Sequence, residues 1–347
     1  MVRGTSRWAG FAFQLAAIVL ALLFTTLILF LTGAPPLEAY RQIIVGSLGT
    51  LKKITDVLVV WVPLLLATSG LLVTFAAGLW NIGIEGQITL GAIFTTGVLR
   101  MLQDSSLPPG SIIALAIAAG ALGGALWAAL AGALKTYGGV NEIFGGLGLN
   151  FVATALTLWL IFGPWKRPGT GSMSGTQPLP ERLWLPLAGD LRLSPWALVI
   201  AILGIGLVFL LLQGTHFGLR LKAVGRNARA AHLMGIPTSR YMMGACLLCG
   251  ALAGLAGSVQ VAAVYHRLIP SISSGYGFLG LLVSMLINYQ ALWAAPVAFF
   301  FAALNIGSIQ LPIVLRMDSS LSGVLQGALV LFVITMEGAR QRLMRRS

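Results

Sequence analysis

Long stretches without a single charged residue constrain this chain more than any other feature of its sequence. Residues 57–84, 111–134, 241–264 and 277–315 contain no Asp, Glu, Lys or Arg. A helix needs about 20 apolar residues to cross the hydrocarbon core of a bilayer, and 277–315 is long enough for two crossings. Backbone polar groups in lipid must be bonded within their own segment, which favours helices. We therefore predict an all-α, polytopic membrane protein.

The apolar runs divide into about ten predicted transmembrane helices. We interpret the first as a retained helix, because its apolar core exceeds the roughly 7–15 residues of a signal peptide. The eighth is short and the ninth follows it closely, so these two are predicted to form a broken hairpin. The predicted spans are 8–31, 57–75, 86–102, 111–134, 143–163, 195–213, 241–264, 277–290, 291–307 and 319–336.

Composition and charge agree with a membrane protein. Only 9% of the residues are charged, against about 25% in soluble domains. A net charge of +13 would suggest nucleic-acid binding in a soluble protein, but membrane proteins gather basic residues at the cytoplasmic ends of their helices. We therefore expect membrane lipid, and no nucleic acid, among the partners of this chain.

Basic residues are distributed unevenly between the two sets of loops. With a cytoplasmic N-terminus, the inner segments carry twelve Lys and Arg against two Glu, whereas the outer segments carry nine basic against six acidic residues. Because positive charge favours the cytoplasmic side, we predict that both termini are cytoplasmic. The inner segments are 1–7, 135–142, 214–240 and 337–347.

The loop 214–240 divides the predicted single permease domain, 1–347, into a first half, 1–213, and a second half, 241–347. Six of the ten predicted spans precede this loop and four follow it, whereas an equal division into five and five falls after the span 143–163. Two halves with five spans each would have opposite orientations, as in transporters built from inverted repeats. We expect 5+5 inverted halves from the total of ten spans alone, since no sequence repeat is visible.

Shorter segments carry further structural predictions. Residues 35–50 begin with Pro35-Pro36 and are predicted to form a short helix outside or on the membrane. Residues 164–194 are rich in Pro, Gly and Ser, which predicts an exposed loop. Glycines spaced four apart predict close helix packing, and two cysteines inside an apolar span are interpreted as packing residues. These residues are Gly120, Gly124, Gly250, Gly254, Cys246 and Cys249.

A polar motif, 77–87, lies between two apolar spans and places Asn81, Glu85 and Gln87 among glycines. A carboxylate near the membrane is costly and is retained by a partner or by function. One interpretation is a tight cytoplasmic turn in which Glu85 and Gln87 cap the next helix. The other is a broken helix whose freed backbone lines a cavity. The chemistry of these residues leaves both open.

The loop 214–240 has a helix-forming centre. Residues 224–235 are good helix formers flanked by Gly225 and Gly235, and Pro237 stops the helix before the next span. A transporter driven by a separate ATPase needs such a short rigid element to receive its motion. Four basic residues here could meet an acidic groove on the ATPase or only enforce orientation: Arg220, Lys222, Arg226 and Arg229.

Several motifs are missing from the sequence. It contains no G-x-x-x-x-G-K-[ST] and no Gly-Lys dipeptide, so we expect ATP to bind a different chain. The three histidines, His216, His232 and His266, lack metal-ligand spacing, and no catalytic set is visible. We therefore predict that the chain is not an enzyme and needs no cofactor or metal. A stand-alone carrier is disfavoured, because the span interiors lack buried charges.

The motif Asn81-Ile82-Gly83-Ile84-Glu85-Gly86-Gln87 resembles that of the larger permease subunit of bacterial nucleoside ABC importers. Nearly the whole chain shares the resemblance, although the loop pattern also occurs in ribose and branched-chain amino-acid permeases. One segment departs from it: Leu286-Ile287-Asn288-Tyr289-Gln290 replaces a Gly-Arg-Asn-type turn. The other similar segments are Val140-Asn141-Glu142-Ile143, Leu149-Asn150, 218–236 and Gly275-Tyr276-Gly277-Phe278.

This resemblance implies an ABC importer permease fold in the plasma (inner) membrane of a prokaryote. It implies that the chain forms half of a translocation pathway with a second, smaller permease subunit. The other implied partners are an ABC ATPase and an extracytoplasmic substrate-binding lipoprotein. A nucleoside is the expected substrate, while a simple sugar or a branched-chain amino acid carried by the same mechanism stays open.

The expected site residues follow from the same resemblance. A neutral nucleoside needs hydrogen-bonding and aromatic groups along its path, for which the candidates are Trp80, Asn81, Glu85, Asn150 and Asn288. The residues expected to couple the chain to the ATPase are Gly225, Arg226, Asn227, Ala230, Ala231 and Gly235.

The predicted topology can be tested with single cysteines at Ser172 and Thr238 in a background without Cys246 and Cys249. A membrane-impermeant thiol reagent should label Ser172→Cys from outside, and Thr238→Cys only after the inner face is opened. Labelling of both positions in intact cells would contradict the predicted orientation.

Overall fold

The computed structural model describes residues 19–20, 22–31, 33, 35–169, 175–287, 289–315 and six single positions between 324 and 335. Asn288 and Ser172 lie outside these residues. Within them the secondary structure is helical, with no β-strand, which confirms the all-α prediction. The chain forms two compact units, one of 1–57 with 300–347 and one of 58–299.

The described residues contain twelve α-helices with stated bounds, numbered in chain order. The first is α1, Leu22–Leu31. The others are α2 Pro36–Leu48, α3 Leu51–Ala76, α4 Ile84–Leu102, α5 Pro109–Thr136, α6 Glu142–Phe162, α7 Pro195–Gly214, α8 His216–Arg226, α9 Ala228–Leu233, α10 Thr238–Val259, α11 Tyr276–Leu286 and α12 Ala294–Leu315. A π-helical turn, Gln260–Tyr265, extends α10, and short 3-10 turns span Glu181–Leu183 and Ala291–Trp293.

Six helices of the described residues are long and apolar enough to cross a membrane, or seven if α1 and α2 form one bent span. This supports a multi-pass membrane protein. The prediction of ten spans stays a prediction. The six helices are Leu51–Ala76, Pro109–Thr136, Glu142–Phe162, Pro195–Gly214, Thr238–Tyr265 and Ala291–Ile309.

The smaller unit contains the predicted short helix after Pro35, which is confirmed as α2. Its Tyr40 hydroxyl lies 2.6 Å from the hydroxyl of Thr25 and donates to the carbonyl of Leu22 at 3.0 Å. The apolar side chains packed beside these bonds are buried: Leu29, Ala39, Ile43 and Leu311.

Glycine contacts join α4, α5 and α10 in the larger unit. A Cβ on Gly124 would overlap the carbonyl oxygen of Gly250 and lie 2.7 Å from Gly254 Cα. A Cβ on Gly257 would lie 2.7 Å from the backbone nitrogen of Ala92 on α4. Backbones therefore touch without intervening side chains, which confirms the packing predicted from the glycine spacing.

The segment before α7 differs in part from its prediction. Residues 164–169 are largely exposed, as predicted, but 175–194 are only partly exposed, because four leucines there are buried: Leu179, Leu183, Leu185 and Leu193. Backbone N–H groups of Thr176 and Leu179 donate to the carbonyls of Leu268 and His266, at 2.9 and 2.8 Å. The leucines fill space between helix ends, which a composition rule for loops does not detect.

The loop 214–240 also differs from its prediction. Instead of one helix over 224–235, α8 and α9 meet at Asn227, whose backbone is extended. The Asn227 side chain accepts the N–H of Ala230 at 3.0 Å, so it caps α9 and ends α8. Gly235 has φ +80° and forms the expected helix stop.

The short eighth span is confirmed as a short helix. The 11 residues of α11 span roughly 16 Å at 1.5 Å per residue, about half of the hydrocarbon thickness. Its first turn packs against the start of α4, because a Cβ on Gly277 would lie 3.0 Å from Glu85 N. Thus α11 is too short to cross the bilayer by itself, and the broken hairpin with the ninth span stays a prediction.

We expect Gly250→Ala to destabilise the protein by about 1–3 kcal/mol, the usual cost of overpacking a tight core. The added methyl would overlap the carbonyl of Gly124 and the Cβ of Ala128. The matched control is Gly206→Ala, a helical glycine with open space where its Cβ would stand. Thermal unfolding in detergent measures both, and equal midpoints would contradict the packing role.

Candidate functional site

The candidate site is the turn 77–83 with the first residues of α4. Gly78 N donates to Phe75 O and Leu79 N donates to Thr74 O, both at 2.9 Å. With Gly78 at φ +74°, these bonds form a Schellman motif that ends α3. The chain can therefore reverse within a few residues and place Trp80 and Asn81 just before α4.

A reciprocal amide pair joins Asn81 to Gln87 across this turn. Asn81 Nδ2 donates to Gln87 Oε1 at 3.0 Å, and Gln87 Nε2 donates to Asn81 Oδ1 at 2.9 Å. Asn81 Nδ2 also lies 3.0 Å from Cys249 Sγ on α10. The amide of Asn81 is thus held by α4 and α10.

Asn150 ties the same turn to α6. Its Oδ1 accepts the N–H of Gly86 at 2.8 Å, and its Nδ2 donates to the carbonyl of Ile82 at 2.9 Å. One side chain therefore satisfies two backbone groups at the start of α4, where helices leave such groups unpaired. Gly146 allows the approach, since a Cβ there would lie 2.6 Å from Gly83 N.

Glu85 is buried, and its Oε1 accepts the N–H of Phe278 at 2.9 Å. Phe278 is the third residue of α11, whose N-cap residue Gly275 supplies no side-chain cap. Glu85 therefore caps α11. In the first of the two interpretations of the motif, it would have capped its own helix, α4. Its carboxylate lies between the N-termini of α4 and α11, both of which favour negative charge.

Aromatic side chains flank the turn. Trp80 is 40% exposed, and its ring stands edge-on to Phe75 with centroids 5.4 Å apart. The ring of Tyr289 also packs on Phe75, with the two ring centroids 4.7 Å apart. Tyr289 has φ +61°, a backbone strain that is retained where the surroundings enforce it.

Four of the five predicted pathway residues meet at this turn: Trp80, Asn81, Glu85 and Asn150. Asn288 lies outside the described residues. The sequence did not reveal that Cys249 contacts Asn81, because nothing in a cysteine inside an apolar span indicates a polar partner. Gln87 was singled out as a cap and instead pairs with Asn81.

The predicted coupling residues lie on α8 and α9. Gly225 packs against the backbone of Ala76 and Gly78, and Asn227 caps α9. Arg226 and Ala230 are exposed, whereas Ala231 is buried. Gly235 ends α9, with its N–H donating to the carbonyl of His232 at 2.9 Å.

We expect Glu85→Ala to lower stability by about 1.5–3 kcal/mol, the range for hydrogen bonds to charged groups. Glu85→Gln keeps an oxygen that can accept the Phe278 N–H and should lose less. Glu181, an exposed glutamate, provides the control variant Glu181→Ala. Thermal midpoints and hydrogen exchange at the Phe278 amide measure the effect. An unchanged midpoint and unchanged exchange in Glu85→Ala would refute the capping role.

Comparison with known proteins identifies related permeases. The chain is 29% identical to a glucose ABC transporter permease protein of Haloferax volcanii, over 96% of this chain and 90% of the relative. It is 26% identical to a guanosine ABC transporter permease protein of Bacillus subtilis, over 92% and 91%. A nucleoside ABC transporter permease protein of Lactococcus lactis subsp. cremoris is 26% identical over 85% and 82%. Bacillus subtilis and Lactococcus lactis each have a second similar permease whose name gives the same substrate.

The model of one protein family matches residues 53–334, which is most of the chain. Its members are transport components and not enzymes. The chain belongs to this family, the permease component of the branched-chain amino acid transport system.

Proposed function

We propose that this chain is the larger permease subunit of an ATP-driven nucleoside importer. The observation that carries the proposal is the chemistry of the turn 77–83 and the start of α4, where neutral amides and an aromatic ring accompany a carboxylate already bonded to α11. A path built from such groups offers hydrogen bonds and stacking but no free counter-charge. These properties suit a neutral, planar substrate.

Trp80 is the best candidate to line the path, because 40% of it is exposed. The amides of Asn81 and Asn150 are engaged by protein partners, so we assign them the role of shaping the turn around Trp80. Glu85 supports the turn through its hydrogen bond to α11. Asn288 stays a predicted pathway residue.

The α8–α9 loop is the proposed contact with the ATPase. At the end of α9, Leu233 and Met234 are each 83% exposed, and Arg229 is exposed nearby in sequence. An apolar tip beside basic residues suits insertion into a groove with acidic walls. This supports coupling as the role of the loop, beyond enforcing orientation.

A second permease is expected because one chain cannot enclose a pathway. Three of the organisms with related permeases have two of them whose names give the same substrate, which supports a heteromeric pair. The remaining parts of the proposal are ten spans in 5+5 inverted halves, cytoplasmic termini, and a substrate-binding lipoprotein outside.

Glucose is the second candidate substrate. The relative from Haloferax volcanii is named a glucose permease, and it matches 96% of this chain. A sugar would use the same neutral hydrogen-bonding groups, so the turn alone does not separate a sugar from a nucleoside. A nucleobase adds a flat face that stacks on an indole with about 1–3 kcal/mol per base.

Uptake into proteoliposomes tests the proposal. The chain is reconstituted with its ATPase, second permease and binding protein. Uptake of labelled guanosine, adenosine and glucose is then compared with ATP inside or outside the vesicles. We expect ATP-dependent uptake of nucleosides. If glucose is taken up and nucleosides are not, glucose becomes the proposed substrate. Uptake without the ATPase would overturn the assignment as an ATP-driven importer.

We expect Trp80→Ala to reduce nucleoside uptake per folded complex by roughly tenfold, consistent with the loss of one stacking contact of about 1–3 kcal/mol. Trp80→Phe should keep most of the activity. The matched control is Trp196→Ala, which removes a tryptophan that is 59% exposed on α7. Equal uptake by the Trp80→Ala and Trp196→Ala complexes would remove Trp80 from the path.

A further inference from the structure

The C-terminal end of α8 touches the turn 77–83 backbone to backbone. A Cβ on Gly225 would overlap the carbonyl oxygen of Ala76 and lie 2.9 Å from Gly78 N. In the reverse direction, a Cβ on Gly78 would lie 3.0 Å from Gly225 O and 3.1 Å from Gly225 Cα. Two glycines that are 147 positions apart in the sequence therefore exclude every side chain from this contact.

A contact of this kind is stiff. Side chains can change rotamer and absorb a displacement of a neighbouring element, but backbone atoms in van der Waals contact cannot. Packed protein interiors transmit strain for the same reason. A push on α8 toward the turn must therefore move the turn or deform α8.

The helix α8 is held as one piece by its other neighbours. Thr215 caps its first turn by accepting the Gly218 N–H at 3.1 Å, and Lys222 Nζ donates to the carbonyl of Leu212 on α7 at 2.6 Å. Arg220 donates to the Tyr241 hydroxyl on α10 at 3.2 Å. By contrast, α9 exposes its apolar tip, so the loop has a free end and an anchored end.

The other side of the contact leads directly to the candidate path. Trp80 is two residues beyond Gly78, and Asn81 is joined to Gln87 on α4 and to Cys249 on α10. A shift of Gly78 thus reaches the exposed indole through two residues. It also strains the amide pair that holds α4 in place.

We propose that Gly225 and Gly78 form a rigid joint through which the α8–α9 loop displaces the turn 77–83 when the ATPase moves. Both are positioning residues that act through Trp80. The joint rests on the proposed function, since it requires an ATPase on α9 and a path beside Trp80. It adds the contact that carries the motion between these two sites.

The first test uses Gly225→Ala in the full complex with its ATPase, second permease and binding protein. The added methyl wedges the joint open, so nucleoside uptake per ATP hydrolysed should fall by about tenfold, within the usual range of coupling between sites. The control is Gly214→Ala, in the same loop but with open space at its Cβ. Unchanged uptake per ATP in Gly225→Ala would overturn the joint.

A second test needs no steric clash and decides the question if Gly225→Ala fails to assemble. Cysteines at Ala76 and at Ala223 on α8 flank the joint and are bridged with a flexible bifunctional thiol reagent, after import by the unbridged double variant is verified. A rigid joint moves as one body, so bridged complexes should keep importing. Loss of import with continued ATP hydrolysis would show that α8 and the turn move independently. If the unmodified complex imports nothing with ATP, the proposed function itself fails, which is a distinct outcome.

Discussion

Backbone contact at glycines is the constraint on which the rest of the larger unit depends. Lipid supplies no hydrophobic force between helices, so close packing must hold them together. In α4, α5 and α10, glycines bring main chains into direct contact at Gly124, Gly250 and Gly257. A helix held in this way cannot rotate or slide without a clash. This places the start of α4, and with it the polar turn, at one defined position against α10.

That fixed position allows polar groups to be buried without losing their hydrogen bonds. An unpaired amide or carboxylate inside a membrane protein is costly, yet Asn81, Gln87, Asn150 and Glu85 each have a partner. These groups and their partners lie on the turn, α4, α6, α10 and α11, and the bonds between helices depend on the helices lying where the glycines put them. The site is thus a set of polar groups, each with a hydrogen-bond partner, around one exposed indole. Trp80 is left to meet a substrate, while the remaining side chains preserve its position.

Two loops differ from their predictions. The segment 175–194 is held against residues just beyond α10 by backbone bonds and buried leucines, so it can present a firm surface. The loop 214–240 is divided at Asn227 into an anchored α8 and an exposed α9. Separate helices allow one part to bind a partner and the other to contact the membrane unit. A single helix over 224–235 could not bend between these two contacts.

The sequence by itself determined the helical class, the membrane setting, the glycine packing and the family resemblance. Each of these depends on local composition or short spacing, as at Gly235, where a left-handed residue ends a helix. Tertiary structure alone decided the polar partners, because they are far apart in the chain. Asn81 and Cys249 are separated by 168 positions, and Glu85 and Phe278 by 193. No periodicity encodes such pairs. The sequence therefore identified the polar motif and left its role open between a cap and a cavity wall, until the position of α11 showed which helix Glu85 caps.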